Sequence, residues 1–501
     1  RKTMKKIVLL PLDERPCNYD FAYKLFQSDD LKIVRPKELG DKKTPADIQK
    51  VKEFLLEECK DAFGLIVSID TVLYGGLIPS RLHKEDVETL KGRLEVFKEL
   101  KESNPQLKIY AFTCIMRCPS YSNADEEPDY YDFYGEQIHK QGIAKHKVVL
   151  GMETEENWLK LRAEIPEEVL ADFEDRRVIN RILNMETIRY YTEGFIDALV
   201  IPQDDSAPLG YTAMDQQEIR SLIQRECLTD EVILYSGADE VALSLTARLV
   251  NDIAGVHPKV YVKYATEAAK MLIPKYEGVR LCTTIGFHIL SAGCIQVDEE
   301  EKADIIMIVT APDNLMEEAF DQPSISPNYN AERNMAEIMR YMVQKIAEGK
   351  RVAVTDNAYS NGGELDLIRM MNKHGILMDV CAYAGWNTNG NSLGTVMAEA
   401  VYDYHFGVTS QKQNFLVERY MEDMAYCGHV RANVSKAIQG TELESFGTKE
   451  IQDEVAAMAK EQLEAFAQEY MTTIADKIEI QHVSMPWKRM FEVRLDATYN
   501  A

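Results

Sequence analysis

The sequence contains no run of eighteen apolar residues, so no membrane-crossing helix is expected. It also lacks a C-x-x-C pair, an H-E-x-x-H, a G-x-S-x-G, a Walker loop and a G-x-G-x-x-G. Those absences remove the local signatures of a thiol redox motif, a zincin, an α/β-hydrolase nucleophile, a P-loop and a dinucleotide fold. Positive charge is scarce: 57 Lys and Arg against 82 Asp and Glu leave a net charge of −25. Such a balance disfavours nucleic acid or an anionic membrane as partner, because phosphate binding needs clustered cations. The nine cysteines have no framework spacing and read as buried thiols in a reducing compartment, so a cytoplasmic location is expected. The apolar run Ile7–Leu10 is stopped by Pro11 and Asp13, which suits a strand and not a signal peptide.

What is present is an ordinary globular balance, 46 % hydrophobic and 28 % charged over 501 residues. Short β-branched runs recur at Ile7–Leu10, Leu31–Val34, Leu65–Ile69, Ile109–Ile115, Ala198–Ile201, Val232–Tyr235, Val260–Val262, Ile305–Val309, Val352–Val354 and Met378–Ala382. Amphipathic stretches such as Pro45–Glu58 and Ala331–Ala347 separate them. Continuous apolar runs alternating with helices predict parallel strands covered on both faces. The number of units favours a (β/α)8 TIM-barrel-like domain over residues 1–410, with doubly wound open parallel sheets as the alternative. A subdomain near 267–350 is expected as an insertion, and 411–501 reads as a helical C-terminal region ending in a strand near Phe491–Leu495. No internal repeat is visible.

Polar clusters fall just after the strand runs: Asp13-Glu14-Arg15; Asp70 to Tyr74 and on to Arg81; Arg117 to Ser122; Gln203-Asp204-Asp205-Ser206; Asp239-Glu240; Asp356-Asn357; and Gly385-Trp386-Asn387 to Asn391. In a parallel α/β fold such ends share the rim where ligands bind, so these residues are expected to line one pocket. An ordinary helix cap or turn explains any single cluster equally well. The acid pairs are the sharpest signal. Neighbouring carboxylates repel, so one of a pair tends to hold its proton and can serve as an acid. Glycoside hydrolysis needs that division of labour. Asp204 and Asp205 are therefore the leading catalytic candidates, followed by Asp239 and Glu240. Asp13, Arg15, Asp70, Tyr74, Arg117, Asn357, Trp386, Asn387 and Asn391 are the candidate substrate-binding residues. Arginines suit carboxylates or an anionic group, asparagines suit neutral hydroxyls or an acetamido group, and a loop tryptophan suits a sugar face. No metal is expected, although a divalent cation on Asp13, Asp204, Asp205 or Asp356 stays open, since Mg²⁺ needs only one or two protein carboxylates. No other cofactor is expected. His288, in an apolar helical stretch, reads as a core histidine.

The motifs Pro-Leu-Asp13-Glu14-Arg15-Pro-Cys-Asn18, Tyr74-Gly75-Gly76-Leu-Ile-Pro-Ser80-Arg81, Gln203-Asp204-Asp205, Gly237-Ala-Asp239-Glu240 and Tyr383-Ala-Gly385-Trp386-Asn387-Thr388 resemble a bacterial family catalogued as domain of unknown function 4127. The resemblance spans nearly the whole chain and implies no particular activity. The Asp204-Asp205 pair and the later Trp-Asn loop are also similar to those of β-N-acetylglucosaminidases that use the substrate's acetamido group as nucleophile. That local likeness implies that Asp204 orients the acetamido group and Asp205 is the acid/base. The expectation is an exo-acting, retaining glycosidase with a small carbohydrate as its partner, self-association being left open. A metal-dependent hydrolase or lyase and a sugar- or metabolite-binding protein are the rival readings.

Overall fold

Eleven of the strands are parallel, and they form two open sheets instead of one eight-stranded barrel. The structure is a computed structural model and describes residues 3–501. The first sheet contains β1 (Lys5–Leu10), β2 (Leu31–Val34), β3 (Gly64–Ser68), β4 (Lys108–Phe112), β5 (Ala198–Gln203) and β6 (Ile233–Ser236) in the order β2-β1-β3-β4-β5-β6. The second contains β7 (Lys259–Tyr264), β8 (Ile295–Gln296), β9 (Ile305–Val309), β10 (Arg351–Thr355) and β11 (Ala382–Ala384) in the order β11-β10-β9-β7-β8. Read from its own first strand, each sheet has the doubly wound order 2-1-3-4-5, the first with one strand more. The chain thus repeats a topology that its sequence does not display.

The two sheets belong to two compact units between which the chain alternates. Unit 1 comprises residues 1–14, 29–245 and 276–279; unit 2 comprises 15–28, 246–275 and 280–501. Residues 411–501 pack in unit 2, where helices are joined by an antiparallel pair, β12 (Ile478–Ser484) and β13 (Arg494–Tyr499). Within 267–350, all but residues 276–279 belong to unit 2, where they supply β8 and β9 of the second sheet and the helices beside it.

The apolar runs explain the strands. β3 and β5 are buried at every residue, as strands covered on both faces must be. Edge strand β2 alternates buried and accessible residues instead. In unit 1 the core joins Val8 and Leu10 of β1, Leu65 and Val67 of β3, Ile109 of β4, Leu199 and Ile201 of β5 and Leu234 of β6. Unit 2 has its own core, with Ile306 and Ile308 of β9, Val352 and Val354 of β10, and Tyr383 of β11. At about 1.5–3 kcal/mol for each fully buried aliphatic side chain, these clusters hold the strands in register. In the first sheet β1 lies between β2 and β3, so successive connections leave it in opposite directions. Doubly wound folds bind ligands at such a reversal, beyond the C-terminal ends of the two strands that flank it, here β1 and β3.

Candidate active site

The chain turns sharply after β5. Gln203 ends the strand, Asp204 and Asp205 follow, and Asp205 has a left-handed φ of 33°, a conformation that costs a non-glycine residue about 1–3 kcal/mol. Two arginines hold the pair. Arg81 Nη2 donates to Asp204 Oδ2, and Arg117 Nη1 donates to Asp205 Oδ2 at 2.8 Å. A third carboxylate fixes both cations: Glu127 Oε1 accepts from Arg117 Nε at 2.7 Å and from Arg81 Nη1 at 3.2 Å. The Arg81 and Glu127 side chains are almost wholly buried. Burial works against the Arg117 charge, but Glu127 and Glu126 outweigh it, and the guanidinium is held protonated well above its ordinary range.

One face of the helix Glu167–Thr192 supports this clamp. Arg177 donates to the carbonyls of Met116 and Arg117 at 2.7 and 2.9 Å and pairs with Asp215 at 2.7 Å. Asn180 donates to the Ser80 carbonyl at 2.8 Å, and Asn184 to Thr113 Oγ1 at 2.8 Å. Positions 177, 180 and 184 fall at helical spacing, so one rigid element fixes the loops that carry Arg81 and Arg117. Arg177, Tyr211 and Asp215 also line a separate cleft of about 540 Å³.

The electrostatics sort the acids. Burial and the neighbouring Asp204 charge push Asp205 up to about 7, while Arg117 and Arg81 pull it down. Its side chain retains 23 % exposure, which leaves its proton a route to solvent. Asp70, after β3, is buried and raised to about 6 by that burial, although the Cys114 N–H donates to its Oδ2 at 2.9 Å. Cys114 is buried; desolvation first, then the charges of Asp70, Asp204 and Asp239, hold its thiol well above its ordinary value. Glu240 is wholly buried, raised to about 8 by desolvation, and accepts from the Ala238 N–H at 3.0 Å. Tyr74 is buried and stacks on His83 with ring centroids 4.4 Å apart, and Asp13 is buried just after β1.

Unit 1 thus holds Asp13, Asp70, Tyr74, Arg117, Asp204, Asp205, Asp239 and Glu240, all anticipated as site residues. Arg15, Asn357, Trp386, Asn387 and Asn391 belong to unit 2, so the expected single rim is divided between two sheets. There, Arg15 lies over the Trp487 ring at 4.6 Å. Trp386 packs edge-on against Phe21 at 5.4 Å and donates to Thr395 Oγ1 at 3.1 Å. Asn357 accepts from the Thr310 N–H at 3.1 Å and donates to Asn389 Oδ1 at 2.8 Å. Asn391 donates to Thr388 Oγ1 at 3.0 Å, and Asn387 adopts a left-handed φ of 51°. Trp386, Asn387, Phe21 and Arg419 line a cavity of about 30 Å³, room for one or two waters. Asp356 is buried and raised to about 8 by desolvation; the Tyr383 hydroxyl donates to it at 2.5 Å and the Glu364 N–H at 2.9 Å. His288 is wholly buried in the helix Leu281–Ser291, as a core residue would be.

Glu126 and Glu127 escaped the sequence reading because they lie mid-loop, away from any strand end. The available signal was an acidic triplet, Asp125-Glu126-Glu127, sharing a loop with Arg117. Among the described residues no group of three His, Cys, Asp or Glu is placed to hold a metal ion, and no helix is long and apolar enough to cross a membrane.

A family model described as a protein of unknown function (DUF4127) matches residues 7–496. The chain belongs to this family. No curated protein matches it. The matched range covers both sheets.

Proposed function

We propose that the protein is a retaining glycoside hydrolase acting on a small carbohydrate, an N-acetylhexosaminide in the favoured case. The observation that carries this reading is the Asp204-Asp205 pair: adjacent carboxyls at a strand end, each on its own arginine, with Asp205 poised near neutrality. Two acids in different environments are what glycoside cleavage requires. In this reading Asp205 protonates the leaving oxygen and then takes a proton from the attacking water. Asp204, held by Arg81, orients the substrate's acetamido group, whose oxygen attacks the anomeric carbon.

The test is turnover of aryl glycosides, N-acetylhexosaminides included, by wild type and Asp205→Asn, each with and without chelator. Loss of about 10²–10⁴-fold in kcat in the variant, with an unchanged melting curve, is the expected result. Near-normal turnover by Asp205→Asn removes Asp205 from the chemistry. Turnover that needs Mg²⁺ or Mn²⁺ assigns the same carboxylates to a metal instead.

A further inference from the structure

Gln203 is the last residue of β5 and is 2 % exposed. Its backbone is fully used: the carbonyl accepts from the Gly237 N–H at 2.9 Å, and the strand pairs with β6 through Gln203 and Ser236. Its side-chain oxygen is different. Oε1 is buried and accepts no hydrogen bond. The same holds for a donor on the arginine that grips the next residue, Asp204: Nε of Arg81 is buried without a partner. Native proteins rarely leave such atoms unpaired, because desolvation is then uncompensated. The charges around them are paired among themselves, Asp204 with Arg81, Asp205 with Arg117, and Glu127 with both. What this shell leaves unmatched is therefore a neutral acceptor and one guanidinium N–H, beside the acid pair.

We propose that Gln203 reads the ligand, its Oε1 accepting a hydrogen bond from an O–H or N–H of a neutral sugar. The inference rests on the glycoside reading of the Asp204-Asp205 site and names the residue that gives it specificity. A ring hydroxyl and an acetamido N–H offer the same donor chemistry to Oε1. A site with a buried polar atom rejects a ligand lacking the matching group, because the atom is then left unpaired.

The experiment is calorimetric titration of the full-length protein with N-acetylglucosamine and with glucose, for wild type and Gln203→Met. Thermal melts and aryl-glycoside turnover are recorded in parallel. Methionine has a similar shape and no acceptor of comparable strength. The expected result is a ligand-free melting temperature equal to or above that of wild type, with affinity at least about tenfold weaker. Binding of both sugars to wild type identifies a hydroxyl as the donor; binding of N-acetylglucosamine alone identifies the acetamido N–H. Should Gln203→Met not fold, Gln203→Asn, which withdraws the amide by one methylene, gives the same readout. The proposal is overturned by unchanged affinity in the variant, by no binding of either sugar to wild type, or by a lower melting temperature with binding intact. The last outcome makes Gln203 a structural residue, satisfied by buried water. Binding lost in the variant without turnover in wild type keeps Gln203 as the reader and discards the hydrolase. Turnover with an unchanged KM in the variant does the reverse.

Discussion

Arg117 donates to Asp205 at 2.8 Å, so a carboxyl poised near neutrality lies against a permanent positive charge. The arginine is one of the groups that pull the Asp205 pKa down. Arg117→Met removes that pull, and the acid keeps its proton to higher pH. The alkaline limb of the pH–rate profile should therefore move upward. Glu127 loses its closest cation in the same variant, and breaking a buried pair costs about 3–5 kcal/mol. A pH–rate profile and a denaturant melt check the two effects; an unmoved alkaline limb would separate Arg117 from the titration of Asp205.

Asp70, Glu240 and Asp356 are raised by burial to about 6, 8 and 8. Their unfolded values lie near 4, so across the interval between, the folded state holds protons that the unfolded chain has released. Stability from these groups is fully present at low pH and declines as pH rises through the folded values. Unfolding free energy should accordingly be smaller near pH 9 than near pH 5. Asp356→Asn, which keeps an acceptor for the Tyr383 hydroxyl, should make the decline shallower. A slope unchanged by that variant would assign the pH dependence to other groups.

Gly237 has no room for a side chain: a Cβ there would collide with the Glu240 carboxylate, which is wholly buried and cannot swing into solvent. Gly237→Ala should lose about 1–3 kcal/mol in a denaturant melt. Gly92, inside the helix Val87–Leu94, meets nothing within 4 Å, and Gly92→Ala should gain up to about 1 kcal/mol. Equal effects at the two positions would contradict the packing described at Glu240.

The main strands were legible because a strand covered on both faces must be apolar throughout, and β3, β5 and β9 are. β8 was not, since it consists of two exposed residues, and β11 begins only at Ala382, where the apolar run Met378–Ala382 ends. Closure was illegible for a different reason. The helix Val241–Ala254 that follows β6 looks like any other crossover, so nothing local announces that β7 begins a new sheet. For the same reason residues following β10 and β11 could not be separated from those following β3 to β6. Within unit 1 the strand-end acids were readable from position alone. Their partners were not: Arg81 and Glu127 reach Asp204 and Arg117 across 123 and 10 residues of chain, through contacts that only the folded loops create.

The alternation of the chain between its two units bears on how the protein can be made and divided. Residues 15–28 are synthesised before most of unit 1 yet belong to unit 2, and 276–279 return to unit 1 after unit 2 has begun. On a ribosome, neither unit has all its residues available until the other is partly out of the exit tunnel. No single proteolytic cut, and no simple truncation, releases either one whole.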